Sequence, residues 1–360
     1  MHIRIGLSLL CACAAAPLSS QPAPAPAKAE AAEAFDPKQG AEAVTKLASA
    51  LEKNFVFPEV GRAYAAMLRK QLAAGAYAQF PNKKAFADKV TDDLQAVHKD
   101  GHLRLHVVPA SARGGPGGEG RRMGPSDSST ITRSGWLADG VAYIDFTMFP
   151  GNAATMKDLA TFLAKHKDAR TLIIDARQHR GGGLAEMDAI FPQIFARPTV
   201  LVHMDTREAV DRREGNPLEG QSSLRTVKAP AGVVRREHFV TPAKEQGGLA
   251  TAKVYLLTSG RTASAAEHLA LALKRTGRAT LVGETTRGAG HYGAMLPMDE
   301  GFTYAAFIPV GRTFDPYTNE GWEGVGVKPD VAVPADKALD EALKLAGVAT
   351  NAAAALAALR

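Results

Sequence analysis

A serine stands at a predicted strand-to-helix junction, in the segment Thr-Ala-Ser264-Ala-Ala-Glu. The apolar run Val254–Leu257 predicts a buried strand, and the small residues from Ser264 onward predict a helix that Gly277 closes. A serine hydroxyl in this position can attack a carbonyl carbon while free N–H groups of the first helical turn face the developing oxyanion. Serine is also a favoured N-cap residue, so this segment alone leaves a purely structural role open.

A serine nucleophile needs a base, and His102 in the segment Asp-Gly-His is a candidate. Histidines also occur four residues before and four residues after it, a spacing that would suit a metal ion on a helix. Gly101 and the strand-like alternation of apolar residues that follows argue against one continuous helix. We therefore expect no metal, and the histidine is either a base or a structural residue.

Three glycines, Gly181 to Gly183, follow a predicted buried strand at Thr171–Asp175. Such a loop can direct backbone N–H groups at an anion or at a developing oxyanion. No Gly-Lys-Ser/Thr sequence follows, so the segment is not a phosphate-binding loop. A flexible strand-to-helix turn is the alternative interpretation.

A carboxylate, Glu323, lies in the glycine-rich segment Gly-Trp-Glu-Gly-Val-Gly. A carboxylate held in a tight loop can orient a histidine ring. The alternative is a surface turn before a last strand.

The elements around these segments predict the fold class. Three short helical patterns lie between Gln39 and His98, and strands then alternate with helices, which predicts an α/β core built from βαβ units. The stretch from Val202 to Gly248 is polar and has no clear period. An Ala-rich helix is expected from Leu339 to Arg360.

The composition is that of a globular protein, with 46% hydrophobic and 22% charged residues. The formal net charge is +6 and the basic residues are scattered, so a nucleic-acid partner is not expected. Both cysteines, Cys11 and Cys13, lie near the N-terminus, which leaves no cysteine for catalysis in the remainder of the chain.

The first residues have the layout of an export signal, with a basic start, an apolar centre and a small-residue exit. We expect a signal at 1–20, followed by a Pro- and Ala-rich linker at 21–38. The protein would then be periplasmic or extracellular. Lipid attachment at Cys13 is an alternative that would anchor it to the envelope.

Taken together and in this order, the four segments resemble the tail-specific or C-terminal-processing serine peptidases, in the branch of the tricorn core and interphotoreceptor retinoid-binding protein. The matching motifs, quoted from this sequence, are Asp175-x-Arg177 before Gly181-Gly182, Thr262-Ala-Ser264-Ala-Ala-Glu267, Gly283-Glu-Thr-Thr-Arg-Gly288 and Glu323-Gly-Val-Gly-Val-Lys-Pro-Asp330. The resemblance implies a ClpP/crotonase-like α/β core at 103–335. It also implies a three-helix domain at 39–102. We assign the remaining residues, 336–360, to the Ala-rich C-terminal helix.

Two departures from the family pattern shape the predicted site. The family position of a lysine base holds Ala289, which favours the Ser-His-Glu arrangement of Ser264, His102 and Glu323. The resemblance further implies an oxyanion hole from the N–H of Ala265 and that of Gly181 or Gly182. The second departure is His179, where the glycine loop of the family usually carries Asn.

The resemblance implies a peptidase that acts on peptides or protein tails and uses no cofactor. A non-catalytic protein that binds apolar ligands and an esterase for small acyl substrates are the alternatives. The sequence indicates no regulatory peptide-binding domain between His106 and Trp136, and it does not indicate an oligomeric state.

Overall fold

The computed structural model describes residues 33–113, 127–214, 218 and 220–359. Glu33–Arg360 form one compact unit. The α/β architecture with a helical N-terminal region, expected from the sequence, is confirmed. The expected signal at 1–20 and Cys13 lie outside the described residues, and so does most of the expected linker.

In chain order, the helices are α1 (Pro37–Asn54), α2 (Pro58–Ala73), α3 (Lys83–Val97), α4 (Ala153–Lys165), α5 (Ala185–Ile194), α6 (Glu208–Glu214), α7 (Ala265–Arg275), α8 (Ala338–Leu345) and α9 (Ala352–Ala357). The strands are β1 (Leu105–Val107), β2 (Ile131–Ala138), β3 (Val141–Phe146), β4 (Thr171–Asp175), β5 (Thr199–Arg207), β6 (Leu224–Val227), β7 (Val233–Val240), β8 (Lys253–Thr258), β9 (Thr280–Gly283), β10 (His291–Pro297), β11 (Tyr304–Phe314) and β12 (Val331–Ala332). None of the helices in the described part of the chain is long and apolar enough to cross a membrane.

The N-terminal helices begin at side-chain caps. Asp36 accepts the N–H of Lys38 at the start of α1, and Asn82 accepts the N–H of Ala85 at the start of α3. The apolar faces of α1, α2 and α3 share one core with β11. Residues before 39 pack on this N-terminal region, since Glu33 forms ion pairs with Lys83 and Arg113.

One sheet carries two of the chemistry-bearing segments, the glycine loop and the Ser264 segment. Its strand order is β12-β9-β8-β4-β3-β2, and all neighbours are parallel except β2 and β3. In the register of β4 with β8, Asp175 lies opposite Leu257. The glycine loop after β4 and Ser264 after β8 therefore leave the sheet at the same edge, where the carboxyl ends of parallel strands form sites.

The second sheet is antiparallel and explains the segment that the sequence left unassigned. Its order is β1-β11-β5-β7-β6, with β10 also paired to β11. Residues 202–248 contain most of β5, together with α6, β6 and β7. Four consecutive polar residues, Arg235 to His238, lie in the middle of β7, which pairs on both sides, and this block interrupts the apolar pattern that would indicate a strand.

The C-terminal region differs from the single helix that the sequence predicted. Two helices, α8 and α9, are separated at Gly347, whose φ of 80° ends the first of them. Both pack on the face of the first sheet opposite α7.

Candidate active site

Ser264 lies directly before α7 in an unusual backbone conformation. Its φ is 57° and its ψ is −118°, whereas an N-cap residue normally has extended backbone. A residue with a side chain pays about 1–3 kcal/mol for such a conformation, and this strain is concentrated at functional sites. The conformation therefore favours a functional role for Ser264 over that of an ordinary cap.

Glu267 fixes the backbone around Ser264. One carboxylate oxygen accepts the N–H of Ser264 at 2.8 Å and that of Ala289 at 2.9 Å. The other accepts the Thr286 hydroxyl and the N–H of Gly288, each at 2.6 Å. Burial raises the pKa of Glu267, and the four hydrogen bonds oppose that shift. This buried carboxylate joins the start of α7 to the turn at 286–289.

The glycine loop lies against Ser264. A Cβ on Gly181 would be 2.8 Å from the Cβ of Ser264, and one on Gly182 would be 2.0 Å from the carbonyl oxygen of Phe149. Their φ values are 113° and 132°, which side chains disfavour. Glycine is required at both positions for the loop to approach the serine.

Two N–H groups remain available beside Ser264. The N–H of Gly181 donates to Nδ1 of His179 at 3.1 Å. Among the hydrogen bonds of the described residues, none uses the N–H of Gly182 or that of Ala265. Of the two glycines predicted for the oxyanion hole, Gly182 is thus the one with a free donor.

His179 holds the glycine loop in place of the expected Asn. It is fully buried, and this burial lowers its pKa to about 3. The neutral ring accepts from Gly181 through Nδ1 and packs edge-on against Phe149 at 4.1 Å. The departure from the family pattern therefore preserves a side-chain acceptor in the loop.

His102 has the properties of a neutral base. Its ring stacks on Phe307 at 4.8 Å. Burial lowers its pKa, the charge of Asp100 opposes that shift, and the charges of His291 and Arg287 lower the pKa further. Nδ1 is buried and has no hydrogen-bond partner among the described residues.

The 286–289 turn connects the surroundings of His102 to those of Ser264. A Cβ on Gly101 would be 2.8 Å from the carbonyl oxygen of Gly288 and 2.9 Å from the Cα of Ala289, so the residue before His102 packs directly on the turn that Glu267 holds. No hydrogen bond between the described residues joins the His102 ring to the Ser264 hydroxyl. Catalytic hydrogen bonds often tighten only when substrate binds. His102 therefore remains the candidate base even though this hydrogen bond is not formed.

Glu323 does not make the contact that the sequence predicted. Its carboxylate accepts the N–H groups of Gly101 and Gly290, each at 2.5 Å, and that of His291 at 3.0 Å. In the described part of the chain it forms no hydrogen bond with the His102 ring. Burial and the charge of Asp100 raise the pKa of Glu323. Its contacts orient the backbone beside His102 rather than the imidazole itself.

Sequence reasoning missed the roles of Asp100 and His291. One oxygen of Asp100 accepts the N–H groups of His102 and Leu103, each at 2.9 Å, and the other lies 2.7 Å from Nδ1 of His291. Burial opposes ionisation of Asp100, but these contacts outweigh it and hold its pKa below the usual value. The position of Asp100, two residues before His102, is typical of an Asx turn, and this was the local signal that could have indicated its role.

Asp100, His291 and Glu323 also form the one group of potential metal ligands among the described residues, with ligand atoms within 4.8 Å of one another. His98, His102 and His106, whose spacing would suit a metal ion on a helix, do not form such a group among the described residues. Both carboxylates already accept backbone N–H groups, and His291 bridges them. These contacts account for the cluster as a brace between two loops.

The profile of peptidase family S41 matches residues 140–333, more than half of the chain. The chain belongs to peptidase family S41. A second profile, the N-terminal domain of peptidase S41 in eukaryotic IRBP, matches residues 27–127. The expected relationship to the C-terminal-processing peptidases and to the retinoid-binding-protein branch is confirmed.

One curated relative of this S41 chain is carboxyl-terminal-processing peptidase 3, chloroplastic, of Arabidopsis thaliana. It is 29% identical over 214 residues, which cover 58% of this chain and 35% of the relative. The match thus spans about a third of the relative's length.

Two solved structures show the same fold. A putative peptidase from Parabacteroides merdae aligns with a TM-score of 0.52 at 16% identity, over 90% of this chain and 96% of that one. A lipoprotein from Streptococcus agalactiae aligns with a TM-score of 0.51 at 13% identity, over 86% of this chain and 97% of that one.

Proposed function

We propose that this S41 chain is a serine peptidase that hydrolyses peptides or protein tails, with Ser264 as the nucleophile. The observation that carries the proposal is the positive φ of Ser264 at the head of α7, where Gly181 packs against the serine and the N–H groups of Ala265 and Gly182 have no partner among the described residues. Unpaired backbone donors next to a serine nucleophile can supply the oxyanion hole that acyl transfer requires.

In the proposed reaction, His102 removes the proton from the Ser264 hydroxyl as its oxygen attacks the peptide carbonyl carbon. The N–H groups of Ala265 and Gly182 stabilise the oxyanion of the tetrahedral intermediate. His102 then donates the proton to the leaving amine, and a water molecule hydrolyses the acyl-enzyme by the same steps. The lowered pKa of His102 keeps it unprotonated and able to act as a base near neutral pH.

The role of Glu323 in the proposed Ser-His-Glu arrangement is indirect. Its bond to the N–H of Gly101 fixes the main chain next to His102, and its bonds at Gly290 and His291 tie that main chain to β10. Glu323 is thus a positioning residue for the base in this account.

Tail cleavage is the part of the proposal that rests on the Arabidopsis thaliana relative, which is named a carboxyl-terminal-processing peptidase. The exposed Met148 next to the glycine loop leaves an apolar surface for a substrate side chain. An unfolded tail can present an extended backbone to this edge of the sheet.

Hydrolysis of a reduced, unfolded protein tests the proposal. Wild-type protein should cleave it and should react covalently with a fluorophosphonate, and Ser264→Ala should lose both activities. The control Ser222→Ala changes an exposed serine and should retain both. Equal cleavage and labelling by Ser264→Ala would exclude Ser264 as the nucleophile.

We also propose export, on the basis of the charged start and apolar centre of residues 1–20. Fractionation of cells that express the full chain should place the protein outside the cytoplasm. Loss of membrane association in Cys13→Ser would identify a lipid anchor, and retention of the full chain in the cytoplasm would contradict export.

A further inference from the structure

An open groove runs along the free edge of β2. This strand pairs with β3 on one side, and in the part of the chain that the structure describes no strand pairs with its other side. Residues 131–136 form one wall of the groove, and α4 forms the other with residues that include Asp158, Thr161 and Lys165. The cavity has a volume of about 530 Å³.

The floor of the groove is aromatic. The Trp136 ring lies 4.6 Å from the His166 ring, which in turn stacks on Phe162 at 4.3 Å. Phe162 and His166 are buried, whereas Trp136 is half-buried and contributes to the groove surface. Apolar side chains of a bound segment would find a preformed surface here.

The rim of the groove carries more positive than negative charge. Arg133 and Lys165 are exposed, and neither forms an ion pair with any described residue. Asp158 is the acidic residue among the lining side chains. The charge balance favours an occupant that carries a carboxylate.

Hydrogen-bonded main chain connects the start of β2 to the glycine loop. Thr130, just before β2, accepts the N–H of Thr147 at 3.1 Å and donates its hydroxyl to the carbonyl of Met148 at 2.8 Å. The next residue, Phe149, donates its N–H to the carbonyl of Gly181 at 2.8 Å, and Gly181 lies against Ser264. Ile131 lies opposite Phe146, at the carboxyl end of β3, so a chain that follows β2 toward Thr130 approaches the sheet edge from which the glycine loop leaves β4.

We propose that the groove binds an extended segment of the polypeptide substrate, which adds to β2 as a further strand at a distance from the scissile bond. The unpaired backbone of β2 can hydrogen-bond to such a segment, and alternate side chains would lie on the aromatic floor. The six lining residues of β2 span about 20 Å at 3.3 Å per residue, enough to pair with five or six residues. A carboxylate on the segment would lie near Arg133 and Lys165.

This inference rests on the proposed peptidase activity, so its test compares two substrates that share one cleavage site. The first is a short peptide p-nitroanilide. The second carries the same cleavage sequence with an added extension of eight residues that contains one Glu. The wild-type enzyme should show a KM about tenfold lower for the extended substrate.

Two variants should remove that advantage. Thr161→Trp fills the groove, and Lys165→Glu reverses the charge at its rim. Each should raise the KM of the extended substrate about tenfold and leave kcat/KM of the short substrate unchanged. Lys157→Glu, an exposed residue of α4 that does not line the groove, is the matched control and should change neither value. Equal effects on both substrates, or no effect on the extended one, would overturn the inference.

The source of the carboxylate is distinguished by two further peptides, one with Gln in place of the internal Glu and one with an amidated C-terminus. The peptide that loses the KM advantage identifies which carboxylate binds, and retention by both would refute charge recognition at Arg133 and Lys165.

Binding to the Ser264→Ala variant separates this inference from the proposed activity. A fluorescent extended peptide should bind with a Kd that Thr161→Trp weakens about tenfold, even if wild-type protein cleaves nothing. Sedimentation of the free protein supplies the remaining outcome, because a dimer abolished by Thr161→Trp would show that a second copy occupies the edge of β2 and would overturn the inference.

Discussion

At the scale of single residues, the conformation of Ser264 separates two interpretations that its sequence context leaves open. A serine cap and a serine nucleophile share the same neighbours in the chain, so residue types alone could not distinguish them. The φ of 57° favours the nucleophile, because an ordinary cap has no need of that strain. The roles of Ala265 and Gly182 remain predictions.

Removal of the strain at Ser264 should stabilise the protein. Ser264→Gly should raise the free energy of unfolding by about 1 kcal/mol relative to Ser264→Ala, because glycine tolerates this φ, although it costs entropy in the unfolded chain. Urea unfolding of both variants measures the difference. A glycine variant that is less stable than the alanine variant would show that the conformation carries no strain.

The lowered pKa of His102 predicts the acid limb of the pH profile. The unprotonated base is the active form, so kcat/KM should rise with pH and reach a plateau, with its midpoint below the ordinary histidine value of 6.5. His102→Ala should lower kcat/KM by about 10²–10⁴ and abolish the limb. Rates for a short peptide substrate between pH 4 and 8 measure this. A limb centred above 6.5, or one that persists in the variant, would indicate another base.

At the scale of elements, the site depends on loops from distant parts of the chain that meet at one sheet edge. The strands and helices around Ser264 and the glycine loop were predictable because their patterns are local, and β4 and β8 appear where the sequence indicated them. The brace between Asp100 and His291 was not predictable, since these residues are 191 positions apart and no local pattern links them. The same holds for the contact of Glu323 with Gly101.

Glu267 connects two of these elements, and its charge should matter for both stability and rate. Each carboxylate oxygen of Glu267 accepts two hydrogen bonds. In Glu267→Gln, an amide nitrogen replaces one of these oxygens and cannot accept, so at least one buried donor would lose its partner. We expect a loss of about 1–3 kcal/mol in the free energy of unfolding. The variant should also have a lower kcat, because the turn beside His102 would shift.

Chemical denaturation and steady-state kinetics of Glu267→Gln give both values. Glu300→Gln, at an exposed position, is the control and should resemble wild type in each. Wild-type stability in Glu267→Gln would show that the four hydrogen bonds do not hold the turn.

At the scale of the whole molecule, buried histidines should limit stability in acid. Burial lowers the pKa of His179 to about 3 and that of His268 well below its ordinary value. Below about pH 6.5 the unfolded chain therefore binds protons that the folded protein does not, and stability falls by about 1.4 kcal/mol per pH unit for each such histidine. For His179 this loss continues down to about pH 3, where the folded state also binds the proton.

His179→Asn should reduce this acid sensitivity, since Asn supplies an oxygen acceptor for the N–H of Gly181 but no titrating group. Between pH 6 and 4, the free energy of unfolding should fall less steeply in the variant than in wild type. The two slopes should differ by about 1.4 kcal/mol per pH unit. Urea unfolding at several pH values gives both slopes. Parallel slopes would show that His179 titrates normally in the folded protein.

The whole account depends on Ser264 being the residue that forms the acyl-enzyme. The most direct measurement is mass spectrometry of the full-length protein after reaction with a fluorophosphonate and digestion. The account predicts a single modified peptide with the added mass on Ser264, and a strongly reduced yield of that adduct in His102→Ala. Modification at another serine, or an unmodified Ser264 peptide in protein that cleaves substrate, would contradict it.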